Sequence, residues 1–203
     1  MRTSYAIFAL GALTAIVSSK ASAQAADRKG FYADVGVNYT IPNNELTESG
    51  SSVKDTKGIV GFVLGAGSGI NQQWRLGGQI DYWKTSNIFE SDFGSGVDGT
   101  VMFYTVAVTY YPSLTSNFWL RANLGYGQDK LSGQGESASA GGFAGGLGLG
   151  WDWMVGKGGF CIAPYAAYMD LFSTGDFGGA LSGEGISGKV SAFQIGATLG
   201  YKH

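Results

Sequence analysis

The chain carries one histidine, His203, and it is the last of 203 residues. Imidazole is the side chain that titrates near neutral pH and serves as the usual general base beside Ser or Cys. With the sole imidazole at the end of the chain, a Ser-His-Asp arrangement and a His-ligated metal are both disfavoured. No enzymatic activity and no cofactor are expected. Cys161 is the only cysteine. It excludes an intrachain disulfide and a Cys-rich metal site, and it is expected to be buried. Gly65-Ala-Gly67-Ser-Gly69 lacks GxGxxG spacing, and no Gly-Lys-Ser/Thr is present. It reads, like Gly145-Gly146-Leu-Gly148-Leu-Gly150, as small residues in curved strands.

What remains is charge, and charge is scarce. Charged residues make up 14% of the chain, against roughly 25% in average soluble domains. Five of them fall on the minor face of alternating segments: Asp34, Arg75, Asp81, Arg121 and Asp152. Acids and arginines on one face can form ion pairs.

The elements that must position them follow a period of two, which marks strands. In 31–40, Phe31, Ala33, Val35, Val37 and Tyr39 alternate with Tyr32, Asp34, Gly36, Asn38 and Thr40. The same holds in 75–85, 118–127, 143–153 and 193–201. Three further segments are less regular. Ile59 and Val63 blur the second face of 58–70. Residues 100–111 are apolar on both faces. Pro164 interrupts 160–171, and proline cannot donate to a sheet ladder. Together these predict eight strands.

Their connections alternate in length. Residues 41–56, 86–99, 128–140 and 172–188 are expected as long polar loops, and 71–74, 112–117 and 155–159 as short turns. Ten of the 15 acids fall on the long side: Glu45, Glu48, Asp55, Glu90, Asp92, Asp98, Asp129, Glu136, Asp176 and Glu184.

The large face carries Phe, Leu, Ile, Tyr and Trp. The other carries Gly, Asn, Gln, Thr, Arg and Asp. An eight-stranded barrel is only just wide enough inside for side chains, so Phe62, Phe143 and Phe193 cannot all point inward. The apolar face must point out, toward lipid. In lipid an open sheet edge is not viable, so the last strand must pair with the first. Aromatics near the strand ends suit the membrane–water interface: Tyr39, Tyr82, Tyr110, Tyr111, Phe118, Tyr126, Trp151, Trp153 and Tyr201. The fold class is therefore all-β, a closed antiparallel up-and-down transmembrane barrel.

The first 23 residues read as a cleaved signal peptide. Arg2 begins it, Tyr5 to Val17 is apolar, and Ala21-Ser22-Ala23 supplies small residues for cleavage. The apolar stretch is shorter than the ~20 residues of a membrane span. The domains are thus 1–23, signal peptide, and 24–203, barrel. The whole chain has a formal charge of −2; losing Arg2 and Lys20 takes it to −4. No basic patch supports nucleic-acid binding.

Gln194-Ile-Gly196-Ala-Thr-Leu199-Gly-Tyr201 resembles the terminal assembly signal of outer-membrane barrels: polar, x, Gly, x, x, hydrophobic, x, aromatic. Over roughly residues 27–201 the chain resembles the small outer-membrane β-barrel family, the OmpA-transmembrane-domain and OmpX type. The resemblance implies insertion by the barrel-assembly machinery, reading Gln194, Gly196, Leu199 and Tyr201. It also implies contact with outer-membrane lipid and lipopolysaccharide, and a monomer. This chain departs from the pattern by adding Lys202 and His203 after the aromatic.

The lumen charges are expected to fill and stiffen the barrel; the alternative is a gated solute path. Roles compatible with the resemblance are surface interaction with a host or other ligand at the long loops, envelope integrity, or a narrow channel for small or hydrophobic solutes. A lipid-modifying enzyme is the remaining alternative.

Overall fold

The computed structural model describes residues 28–48, 51–88, 97–133, 136–156, 159–172, 177–179 and 187–202. The expected signal segment with Ala21 and Ala23, the terminal His203, and Glu90, Asp92, Asp176 and Glu184 lie outside the described residues.

Eleven strands run in chain order: β1 (Gly30–Glu48), β2 (Ser51–Asp55), β3 (Ile59–Gly69), β4 (Trp74–Ile88), β5 (Val97–Tyr110), β6 (Phe118–Gly133), β7 (Glu136–Trp151), β8 (Trp153–Val155), β9 (Phe160–Leu171), β10 (Gly178–Gly179) and β11 (Ser187–Lys202). Eight of them close a ring. β1 pairs with β3, and the pairing continues through β4, β5, β6, β7, β9 and β11 back to β1. The three short strands are extensions. β2 pairs with the far end of β1, β10 with Ala138 and Ser139 of β7, and β8 continues β7 along β9.

The strands are staggered. Followed through paired residues, Asp34 leads to Gly65, Gln79, Thr105, Gly125, Ala144, Leu171, Val190 and then Asn44. The path returns to β1 ten residues further on, so the strands tilt by roughly 35–45° as closure demands. The tilt brings Asp34 and Arg121 within 4.0 Å of each other in the middle of the lumen, and Arg75 within 3.9 Å of Asp152 nearer the short turns.

The apolar face points outward. Phe62, Phe143 and Phe193 are exposed, as are Val35, Val37, Leu64, Leu124, Leu147 and Leu199. Aromatics bound this band at both ends. At the short-turn end Trp74 lies 4.5 Å from Tyr110, and Phe160 lies 5.3 Å from Tyr201. Tyr39, Tyr104, Tyr126 and Tyr168 ring the other end. Tyr111 departs from the expected belt: it is buried under the lumen.

The strands also run further than their alternation suggests. Residues 41–56 and 128–140 were expected as loops, yet β1 reaches Glu48 and β6 and β7 reach Gly133 and Glu136. Beyond the lipid band both faces of a strand are polar, so the period-two signal vanishes while pairing continues, as in Lys130 opposite Ser139. Pro164 is accommodated by a gap in the ladder. β7 pairs with β9 down to Gly150–Tyr165, and β8 resumes at Trp153–Ile162. The missing proline donor falls opposite this gap. Asp152, freed from the ladder, turns its backbone N–H to the carbonyl of Asn117 at 3.0 Å.

Candidate functional site

The lumen is built in three layers. At the short-turn end Asp152 is a hub. Its carboxylate accepts from the Trp119 indole at 2.9 Å and the Tyr111 hydroxyl at 2.8 Å. The ammonium of Lys202 forms an ion pair with it, and Arg75 approaches to 3.9 Å while donating to the Tyr111 hydroxyl at 2.8 Å. Below this hub lies Arg28, which is buried. Its guanidinium donates to the carbonyls of Gln72 and Ser113 at 3.1 and 3.3 Å and to that of Ser116. It also stacks 4.1 Å from the Tyr111 ring. Arg28 thus ties the turn after β3 to the turn after β5.

In the middle layer Arg121 reaches three strands. It donates to Gln79 Oε1 at 2.8 Å and Thr109 Oγ1 at 3.0 Å, and approaches Asp34 to 4.0 Å. Gln79 passes the contact on, donating to Asp81 Oδ2 at 2.8 Å. Asn38 donates to the Tyr165 hydroxyl at 2.9 Å. Glycines make room for these groups. A Cβ on Gly65 would meet Asp34 Oδ1 at 2.6 Å, and one on Gly150 would meet the Trp119 ring at 2.3 Å.

The upper layer is apolar. Trp83, Val101, Phe103, Ala144, Met169, Leu171, Val190 and Ala192 form one buried cluster, with Ile59 against it. This explains the two-faced segments in the sequence: Val101 and Phe103 face the lumen while Tyr104 and Val106 face lipid. Above it, beyond the aromatic ring, Asp129 is buried on β6 opposite Val101 and Ala140. It was expected on a loop. Burial pushes its carboxyl up to about 7.

The five charges read from the sequence therefore separate into two groups. Arg75 and Asp152 meet at the base, and Asp34 and Arg121 meet in the middle. Asp81 joins the second group through the Gln79 amide that donates to it, and it lies in the field of Arg121. Sequence reasoning missed Arg28, Tyr111 and Lys202. Lys202 carried a signal, since it sits in phase with the lumen-facing Thr198 and Gly200. Arg28 carried none, because it precedes the first alternating residue. Of the terminal signal residues, Gln194 is buried in the lumen, Gly196 packs against the Val37 carbonyl, and Leu199 and Tyr201 face outward. Cys161 is buried and unpaired. Among the described residues no group of three His, Cys, Asp or Glu side chains is placed to hold a metal.

A family model described as "Outer membrane protein beta-barrel domain" matches residues 9–202. Solved structures of similar fold include Neisserial surface protein A (NspA), with a TM-score of 0.57 and 14% identity over 86% of this chain and 97% of that one. OprG from Pseudomonas aeruginosa gives 0.53 and 15%, over 89% and 100%. Ail, the attachment invasion locus protein of Yersinia pestis, in complex with the heparin analogue sucrose octasulfate, gives 0.50 and 23%, over 85% and 99%. At such identities the likeness is one of fold. No curated sequence matches.

Proposed function

The chain belongs to the outer-membrane β-barrel domain family and resides in the outer membrane, and from that premise we propose that it acts at the cell surface, as a non-enzymatic barrel with a surface-interaction or envelope-stabilising role. The observation that carries this reading is the filled lumen. Polar side chains close its lower two layers and an apolar cluster its upper one. Side chains packed to this degree act as core, and a barrel with a core offers partners its outer rim.

That rim is acid-rich in sequence; on its strands Glu45 stands opposite Lys189 and Asp98 pairs with Lys84 at 2.9 Å, so the acidic excess comes from the segments between the strands. It has the wrong sign for a sulfated ligand such as the one seen with Ail, so the reading favours a neutral or basic partner. The barrel is proposed to work as a monomer, inserted by the barrel-assembly machinery and surrounded by lipid and lipopolysaccharide. Residues 1–23 are proposed as its cleaved signal peptide.

The test pairs two measurements. Purified protein in planar bilayers is expected to give no steady conductance. Cells displaying it are expected to bind surfaces coated with basic or neutral proteins more than cells lacking it. Steady openings altered by Arg75 or Arg121 substitutions would replace this reading with a channel. A change in lipid A mass on expression would replace it with an enzyme.

A further inference from the structure

The joint between β11 and β1 differs from every other in the ring. All other neighbours in the ring follow one another along the chain, short extensions aside, so a connection tethers each pair. The first and last strands have no such tether. A turn holds two strand ends together because the closure entropy of a short loop is small, and the seam has none to rely on. At the long-loop end its pairing runs on to Thr47 and Ser187. At the short-turn end it stops at Tyr32 and Lys202. There the other strands are joined by the turns after β3, β5 and β8, so this end of the seam is where the wall should fray first.

Beneath that end lies an unbroken chain of contacts. On the β11 side, the Lys202 N–H donates to the Gly159 carbonyl at 2.8 Å, and its ammonium pairs with Asp152. Asp152 accepts from the Tyr111 hydroxyl at 2.8 Å. On the β1 side, the Tyr111 ring carries the guanidinium of Arg28, 4.1 Å away and two residues before β1 begins. Tyr111 is itself fixed, since its N–H donates to the Gln73 carbonyl at 2.8 Å. Arg75 supports the same point. It donates to the Tyr111 hydroxyl at 2.8 Å and lies 5.5 Å from the ring of Tyr32, the residue paired with Lys202.

We infer that Arg28, Tyr111, Asp152 and Lys202 form a clasp that stands in for the missing turn and holds the seam shut at its short-turn end. Both sides of the seam are anchored to one residue, Tyr111, which the wall holds by its backbone. All four members are buried, so their polar contacts are shielded from water, and breaking one strands its partner. The clasp also gives a role to the residue that follows the terminal aromatic. Lys202 lies beyond the assembly pattern that ends on Tyr201, and its side chain turns to the clasp instead of the lipid face. The inference holds whatever the outer rim binds.

The experiment uses the full mature chain carrying Cys161→Ala, refolded into detergent. Lys202→Met is expected to speed hydrogen exchange at the amides of Ala33 to Val35 and Leu199 to Tyr201 by about tenfold, the factor that ~1.4 kcal/mol of local opening free energy sets. The ends of β5 and β6 at the same level, joined by the turn at 112–117, are expected to keep their rates. A second measurement links the seam covalently. Val35→Cys with Leu199→Cys places two thiols opposite each other across it, within the Cα range of a disulfide. Val108→Cys with Ala122→Cys does the same between β5 and β6 and serves as the control. The drop in thermal midpoint caused by Lys202→Met is expected to shrink by at least about half in the seam-linked barrel and to stay whole in the control, the coupling expected of groups that act on one joint. Equal acceleration at the seam and at β5–β6 would overturn the proposal, as would a seam link that reduces the drop no more than the control link. Should Lys202→Met fail to fold, Tyr111→Phe, which keeps the ring and removes the hydroxyl, is read by the same two measurements with the same outcomes.

Discussion

Lys202 on the last strand forms an ion pair with Asp152 at the gap between β7 and β8. The pair joins the end of the chain to the hub that also holds Trp119, Tyr111 and Arg75. Lys202→Met is expected to lower the unfolding free energy by about 3 kcal/mol, the order seen when one partner of a buried pair is removed. Asp152→Ala is expected to cost more, because it strands several donors at once. Urea titration in detergent micelles measures both; a Lys202→Met barrel as stable as wild type would place the ammonium outside the network.

The middle layer makes a matching prediction. Arg121→Ala removes contacts to Asp34, Gln79 and Thr109. Its thermal midpoint is expected to fall well below that of Lys130→Ala, which removes an exposed side chain. Equal midpoints for the two variants would mean that the lumen charges do not stiffen the barrel.

Asp129 gives a pH dependence of defined sign. Its folded value of about 7 stands above the ordinary 3.8 because of burial, so the folded state holds a proton that the unfolded chain has lost. Stability from this group is full below pH 4, falls as pH rises toward 7, and is level above that. The displacement corresponds to at most about 4 kcal/mol. Denaturant midpoints between pH 4 and 9 are expected to slope less for Asp129→Asn than for wild type. Parallel slopes would show that this carboxyl is solvated.

Arg28 ties two turns together beneath the lumen. Arg28→Ala is expected to speed hydrogen exchange in the turns at 71–73 and 112–117 while leaving the exchange of β7 and β9 unchanged. Uniform acceleration over all strands would mark it as a global rather than local brace.

Topology is open to a direct check. Protease added to intact cells is expected to cut between Leu171 and Ser187 and to spare the short turns at 71–73 and 112–117. The reverse pattern would invert the barrel.

The ring of eight strands was legible because lipid imposes a strict period of two on the wall, plain in Phe31 to Tyr39 and in Phe193 to Tyr201. The lumen was legible only where a charged side chain broke the run of small residues, as Asp34 and Arg121 do. Val101, Phe103 and Met169 concealed the apolar layer. An inward hydrophobe beside an outward one erases the alternation that identifies both faces. The outer strand extensions were hidden for the converse reason, since polar residues on both sides leave no contrast. Asp81 was visible as an inward acid, but its hydrogen bond from Gln79 depends on side-chain reach, which spacing does not encode.

The seating of Trp119 on Gly150 and of Asp34 on Gly65 has a bearing on how such a chain can change. Each lumen side chain occupies volume that a neighbour on the wall has given up. Enlarging one member without shrinking the other forces ring or carboxylate against backbone, while shrinking one alone opens a void. Tolerated substitutions in this barrel should therefore arrive as matched couples across adjacent strands, with Trp119 and Gly150 exchanging bulk between them, and a library that varies either position singly will be nearly barren where a paired library is not.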